Sequence, residues 1–270
     1  MARVCVITFS VDRPRCLARC IESVLSQTYS QPLIHRVFSE KVEELTASSE
    51  LKGLHQRVVW HSLPGEPHIG VPSPRMSLLR SMSLQYVREP FCCFLDDDNR
   101  MLPHHLTSLM TLLQSFGLDA AHSWRTVVEP NGELFRGDYY PWHHDACKAE
   151  AMYQWCVRYG VMVPGEPVVR DGLRGPEGPD NISTVDMNEW LFRTVFIKKL
   201  GFNHHFSQQE IADHVGEDDK LFTRIKQQAI RFACSELATV EYTLGGVSNR
   251  PALACSDHHD SKTNRSDAIG

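Results

Sequence analysis

Phe91-Cys92-Cys93-Phe94-Leu95-Asp96-Asp97-Asp98-Asn99 is the stretch on which the fold turns. Its five apolar residues read as a buried strand, bounded by Pro90 on one side and by acids on the other. Side chains alternate along a strand, so Asp96 and Asp98 are expected to project to one side and Asp97 to the other. Two carboxylates at the C-terminal mouth of a strand suit a hard divalent cation with oxygen ligands. Open α/β sheets also bind their ligands at that end of the strands. Three adjacent negative charges repel one another, so a compensating positive charge is expected close by. Taken alone, the triplet reads equally as a solvated acidic turn, and the surrounding chain has to decide.

Upstream, Val4 to Phe9 predicts a first strand. Arg13-Pro14 opens a helix with Leu17, Cys20, Ile21, Val24 and Leu25 at helical spacing. Leu33–Phe38 and Gln56–His61 predict two more strands, and Pro74 begins a helix carrying Leu78, Leu79, Met82 and Tyr86. Downstream, Pro103 opens a helix with Leu106, Leu109, Met110, Leu113 and Phe116. Strands alternating with helices over about 120 residues predict an α/β layer with a mainly parallel sheet.

Beyond that point the character changes. Ala120–Val128 predicts a strand followed by a turn at Pro130-Asn131-Gly132. Residues 135–160 are dense in aromatics, and residues 164–181 are rich in Pro and Gly and read as a mobile loop. Val185–Phe196 predicts a strand entering a short helix, Glu217–Phe232 a helix, and Leu237–Leu244 a late strand. The polar tail from Ser256 reads as disordered or ordered only on binding.

Composition narrows the function. A net charge of −5 offers no basic field for nucleic acid, and no stretch is apolar enough for an integral membrane span. The nine cysteines include no Cys-x-x-Cys pair, and Cys5, Cys20, Cys92 and Cys93 lie in apolar segments. They read as reduced core residues of a cytoplasmic protein. Adjacent histidines such as His143-His144 diverge on a helix or a strand and make a poor chelate.

Four segments in order resemble an inverting glycosyltransferase of the GT-A fold, family 2-like. The first is Val4 to Ser10 with Arg13-Pro14 and the run Ile21 to Thr28. The second is Ile69-Gly70-Val71-Pro72-Ser73-Pro74-Arg75, the third Asp96–Asp98, and the fourth Gly216-Glu217-Asp218-Asp219 leading to Leu221 and Arg224. The resemblance implies a Rossmann-like, mixed but mainly parallel sheet flanked by helices, with an acceptor-side subregion. Residues 1–120 would form the nucleotide-sugar half, 121–250 the acceptor and catalytic half, and 251–270 a flexible tail.

The resemblance also implies roles. Asp98, helped by Asp96, would hold Mn²⁺ or Mg²⁺ against the donor diphosphate, a nucleotide-sugar of the UDP type. Thr8, Phe9, Ser10, Arg13, Glu40, Arg75, Asp96 and Asp97 would contact the nucleotide-sugar. Asp218 at a helix start would take the proton of the acceptor hydroxyl, kept ionised by the helix dipole. Trp142, Trp190 and Glu217 would meet the acceptor. Two departures stand out: Glu40 occupies the place of the family's base-reading Asp, and Gly245 that of a His that completes the metal shell. Either the metal would keep an extra water there, as Mg²⁺ tolerates, or His258 or His259 would stand in for that His.

The competing readings are a nucleotidyltransferase, a non-catalytic sugar-nucleotide or glycan-binding GT-A-like module, and a His-rich metallohydrolase. No Gly-rich phosphate loop follows the first strand, which argues against the first. No spaced His/Asp ligand motif supports the last.

Overall fold

A computed structural model describes residues 2–64, 72–172, 185–213, 215–228, 230–246 and 249. In chain order the strands are β1 (Val4–Phe9), β2 (Leu33–Ser39), β3 (Val59–Ser62), β4 (Phe91–Phe94), β5 (Arg100–Met101), β6 (Ala120–Val128), β7 (Val168–Val169), β8 (Trp190–Arg193) and β9 (Phe232–Thr243). The helices are α1 (Pro14–Leu25), α2 (Val42–Ala47), α3 (Pro72–Ser83), α4 (His105–Phe116), α5 (Ala146–Arg158), α6 (Thr194–Leu200), α7 (Gln208–Ala212) and α8 (Glu217–Gln227).

The strands form one sheet in the order β3-β2-β1-β4-β8-β6-β9-β5, with β7 added beside β6. β3, β2, β1 and β4 run parallel; β8 is antiparallel to both β4 and β6; β6 and β9 are parallel again. The mixed, mainly parallel α/β sheet expected from sequence is therefore present.

The central strands are covered on both faces, which is why β1 and β4 read as continuous apolar runs. Their alternation sorts side chains into two cores. Cys5, Ile7, Cys92 and Phe94 join the core under α8, with Trp190, Phe192, Leu221 and Phe222. Val4, Val6, Phe91, Cys93 and Leu95 join the core under α1 and α4, with Cys20, Val24, Leu106 and Leu113. Pro14 at the first position of α1 starts that helix, and Gly117 in the left-handed region (φ 61°) ends α4.

Several expectations are corrected. The aromatic segment contains α5, whose Ala149 and Cys156 turn inward while Met152, Tyr153 and Trp155 pack around them. α8 stops at Gln227, and Phe232 starts β9 instead of closing the helix. Residues 164–172 include β7, paired with β6, where a mobile loop was expected; 173–181 lie outside the described residues. So do Ile69, Gly70, Val71, the tail from Ser256 and both of its histidines. Cys5, Cys20, Cys92 and Cys93 are buried free thiols as expected, but Cys147 is disulfide-bonded. Among the described residues no helix is long and apolar enough to cross a membrane.

Candidate active site

The acidic run leaves the sheet between β1 and β8. Leu95 still pairs with β1 (N–H to Ile7 O, 2.9 Å), but the chain then turns, with Asn99 N donating to Asp96 O at 3.1 Å. This turn overrides the strand alternation expected of the three acids. Asp96 keeps to the α3 and α8 side, whereas Asp97 and Asp98 share one cation, Arg13. The compensating charge expected from sequence is therefore two arginines. Arg13 bonds Asp97 and reaches Asp98 Oδ2 at 2.6 Å. Arg80 from α3 stands 3.5 Å from Asp96 and bonds Glu217 at the start of α8.

Each acid has a distinct environment. Asp97 is buried, and Ser10 Oγ also donates to it at 2.6 Å, so it ties the end of β1 to the acidic turn. Burial lifts its pKa to about 6 against the pull of Arg13. Partial desolvation lifts Asp96 further, to about 7, although 36% of its side chain stays exposed, with Asp186 and Asp98 adding to the effect and Arg80 opposing it. Asn188, itself buried, holds Asp96 on two sides. Its Oδ1 accepts from Asp96 N at 2.6 Å, and its Nδ2 donates to Asp96 Oδ2 at 2.9 Å. The end of β9 secures the back of the turn: Thr243 Oγ1 donates to Asp98 O at 2.7 Å and Thr243 N to Asn99 Oδ1 at 2.9 Å.

Across from the acidic run, Gly216 leads into α8, and Asp219 Oδ2 accepts from Gly216 N at 2.8 Å. Asp218 accepts from Asp219 N at 3.0 Å. The helix start was expected to keep Asp218 ionised, and its surroundings work against that. Burial and the neighbouring Asp219, Glu217 and Asp186 raise its pKa well above the carboxylate range, and Arg80 only partly offsets them. A terminal helix dipole, worth about 0.3–1 kcal/mol, is outweighed by several like charges at close quarters.

At the end of β2 the two nucleotide candidates meet: Arg75 from α3 bonds Glu40. Phe9 lies beside Phe38, ring centroids 5.5 Å apart. Two other expectations fail on burial. Thr8 is fully enclosed, its hydroxyl donating to Leu95 O at 2.7 Å and lying 2.9 Å from His35 Nε2, so its side chain braces the acidic turn from beneath. Trp190 sits in the core between Phe192, Phe222 and Phe232, out of reach of any acceptor. An aromatic residue near a site motif looks the same in sequence whether it packs or binds.

Trp142 is half-buried and covers a second cluster. Its ring lies 4.7 Å from the Arg125 guanidinium, and Tyr242 lies 5.3 Å from the same group. Arg125 pairs with Asp171 at 2.8 Å, Glu189 at 3.4 Å and Asp186 at 3.7 Å. Sequence reading missed Arg80, Arg125, Asp186 and Asn188. The spacing of Asp186 and Asn188 resembles that of the acidic run, which is the one local signal they carry.

Gly245 explains its own departure from the expected His. Its φ is +94°, and a Cβ there would stand 2.9 Å from Pro130 Cγ. The neighbouring Gly246 faces Asp98, where a Cβ would lie 3.4 Å from Oδ2. Among the described residues no group of three or more His, Cys, Asp or Glu is arranged to hold a metal ion.

The sheet order, with acidic residues at the β4 mouth and the start of α8, is that of the GT-A fold. The solved structures most like it include S. aureus TarS residues 1–349, at 13% identity and a TM-score of 0.54, covering 89% of this chain and 60% of that one. The same fragment in complex with UDP-GlcNAc (13%, TM-score 0.53, 89% and 58%) and with UDP (12%, 0.53, 90% and 60%) is similar to the same degree. The chain thus spans about 60% of that TarS fragment. No family model matches the sequence, and no curated protein does.

Proposed function

We propose that this protein is a glycosyltransferase that moves a sugar from a nucleotide-sugar, of the UDP type, to a hydroxyl acceptor with inversion. The observation that carries this reading is the facing pair of acidic elements. Asp96–Asp98 leave β4, Glu217–Asp219 open α8, and Arg80 bonds across the gap between them. A shared fold with TarS, crystallised with UDP and UDP-GlcNAc, is consistent with it.

In this reading residues 1–120 hold the donor, with Arg75 and Glu40 at the nucleotide end and Arg13 near the diphosphate. The later part, 121–250, supplies the base and the acceptor side. Asp218 takes the proton of the acceptor hydroxyl as that oxygen attacks the anomeric carbon and the nucleoside diphosphate leaves. A carboxylate whose pKa is raised above its ordinary value is better matched to that proton than an ordinary one. Trp142 offers a partly exposed aromatic face on the acceptor side.

Mn²⁺ or Mg²⁺ is part of the proposal, with Asp98 as its hard oxygen ligand: Gly246 leaves space beside Asp98 that a side chain would fill, whereas Asp96 is turned toward Arg80 and Asn188. Such an ion, when bound, would offset the charge of the diphosphate. Assaying a panel of UDP-, GDP- and dTDP-sugars with Mn²⁺, with Mg²⁺ and with chelator, and reading product anomers by NMR, tests the whole reading. Release of nucleoside diphosphate from none of them would sink it.

A further inference from the structure

We propose that Asn188 is a positioning residue that sets the Asp96 carboxylate for the donor by joining it to Asp186. The proposal rests on the transferase reading above and adds a residue outside the acidic motifs. Asn188 is 1% exposed, and it is placed by the short turn before β8, where Asp186 accepts from Asn188 N at 2.9 Å. Its carboxamide is then fully used. Oδ1 takes the Asp96 N–H, while Nδ2 donates both to Asp96 Oδ2 and to Asp186 Oδ1, the latter at 2.6 Å.

This set of partners selects the residue type. The Asp96 amide needs an acceptor, and the two carboxylates need donors. An Asp at this place would keep the acceptor but set a third negative charge between two others. An aliphatic residue would leave the part-buried Asp96 amide without this partner. Gln carries the same group one methylene too far. Asn188 also couples regions that are distant in sequence. Through Asp186 it connects Asp96 to Arg125 (3.7 Å), and so to Trp142 and Tyr242 on the acceptor side.

The test is a double-mutant cycle on UDP binding, measured by calorimetry in Mn²⁺. Asn188→Asp and Asp96→Asn should each weaken UDP by about tenfold or more, as loss of a supporting hydrogen bond behind a ligating group commonly does. The double variant should be no weaker than Asp96→Asn alone, because Asn188 reaches the donor only through Asp96. It should also melt higher than Asn188→Asp, since the carboxamide–carboxylate pair is restored with its ends exchanged. Wild-type binding that survives Asn188→Asp within about twofold overturns the proposal, as do losses that multiply in the double variant. If Asn188→Asp does not fold, Asn188→Ala takes its place in the cycle, with the same binding criteria. A wild-type protein that binds no UDP at all overturns the transferase reading itself, and this inference with it.

Discussion

Two buried arginines each sit among acids, and they are built differently. Around Arg125 the two nearest acids are closed off: its own side chain is 6% exposed, Asp171 3% and Glu189 0%, while the more distant Asp186 is 14% exposed. Around Arg80 the cation is equally buried at 3%, but Asp96 is 36% exposed and Glu217 15%. Arg125 has its charge matched chiefly by Asp171 and Glu189, which are shut off from solvent, and is capped by two aromatic rings. Arg80 holds carboxylates whose outer oxygens remain open to a ligand. Buried ion pairs are poor sources of stability, because desolvation offsets their attraction, so their value lies in fixing geometry. The closed cluster fixes β6 to the turn before β8. The open one fixes the donor side to the base side.

The largest effect expected is on the open side. Asp218→Asn should lower transfer by about 10²–10⁴-fold, roughly 3–5.5 kcal/mol of barrier, with donor affinity nearly unchanged. Asp98→Ala should instead weaken UDP binding together with rate. Steady-state kinetics with both substrates varied, alongside calorimetry with UDP and Mn²⁺, separates the two. Transfer by Asp218→Asn within about threefold of wild type would leave that residue a helix-start acid and move the search to Glu217 or Asp219.

The next effect contrasts the clusters directly. Arg125→Met strands two buried carboxylates and should cost about 3–5 kcal/mol in urea unfolding. Arg80→Met leaves acids that water can reach, so its cost should be smaller, about 1–3 kcal/mol, while its loss of transfer should be the greater of the two. Equal stability losses would show that the difference in exposure does not matter and would collapse the comparison.

Much of this was legible in the sequence. The period-2 and helical patterns located β1, α1, β4, α4 and β6, because each buries a regular stripe or a continuous run. The facing acidic elements were legible because both are local motifs. Arg80 was not: its partner Glu217 is 137 residues away, and nothing local marks a helical Arg as buried. Asn188 and Arg125 escaped for the same reason. Trp190 was misplaced because residue type does not say which face of a strand meets the core. The groups that raise the Asp218 pKa were not legible, because the acids around it converge only in three dimensions.

The closed cluster also predicts a pH dependence. Burial raises Asp171 from 3.8 to about 6, and burial beside Asp171 raises Glu189 well above its ordinary value. The folded chain therefore binds these protons more tightly than the unfolded chain does. Their contribution to stability is complete below about pH 4 and is lost as pH rises through about 6 and beyond. The urea midpoint should fall as pH rises from about 4 through about 6. Glu189→Gln, which mimics the protonated form, should flatten that fall and be stabilising at the upper end. A Glu189→Gln profile parallel to wild type would mean that the pair does not hold its proton.

The smallest effect expected lies where the two clusters share a strand end. β9 carries Tyr242, which faces Arg125, and Thr243, which binds the acidic turn, before reaching Gly245. At φ +94° an L-residue is strained, and its Cβ would press on Pro130 at 2.9 Å. Gly245→Ala should therefore cost about 1–2 kcal/mol, read as a lower urea midpoint with unchanged slope. Gly245→His should cost at least as much and should not tighten Mn²⁺ binding. The backbone there is bent into a conformation that disfavours a side chain, and Gly246 is the residue beside Asp98. If Gly245→His instead binds Mn²⁺ more tightly with no loss of stability, the strand end is more pliable than its geometry implies. The donor side would then be only one substitution away from a third protein ligand.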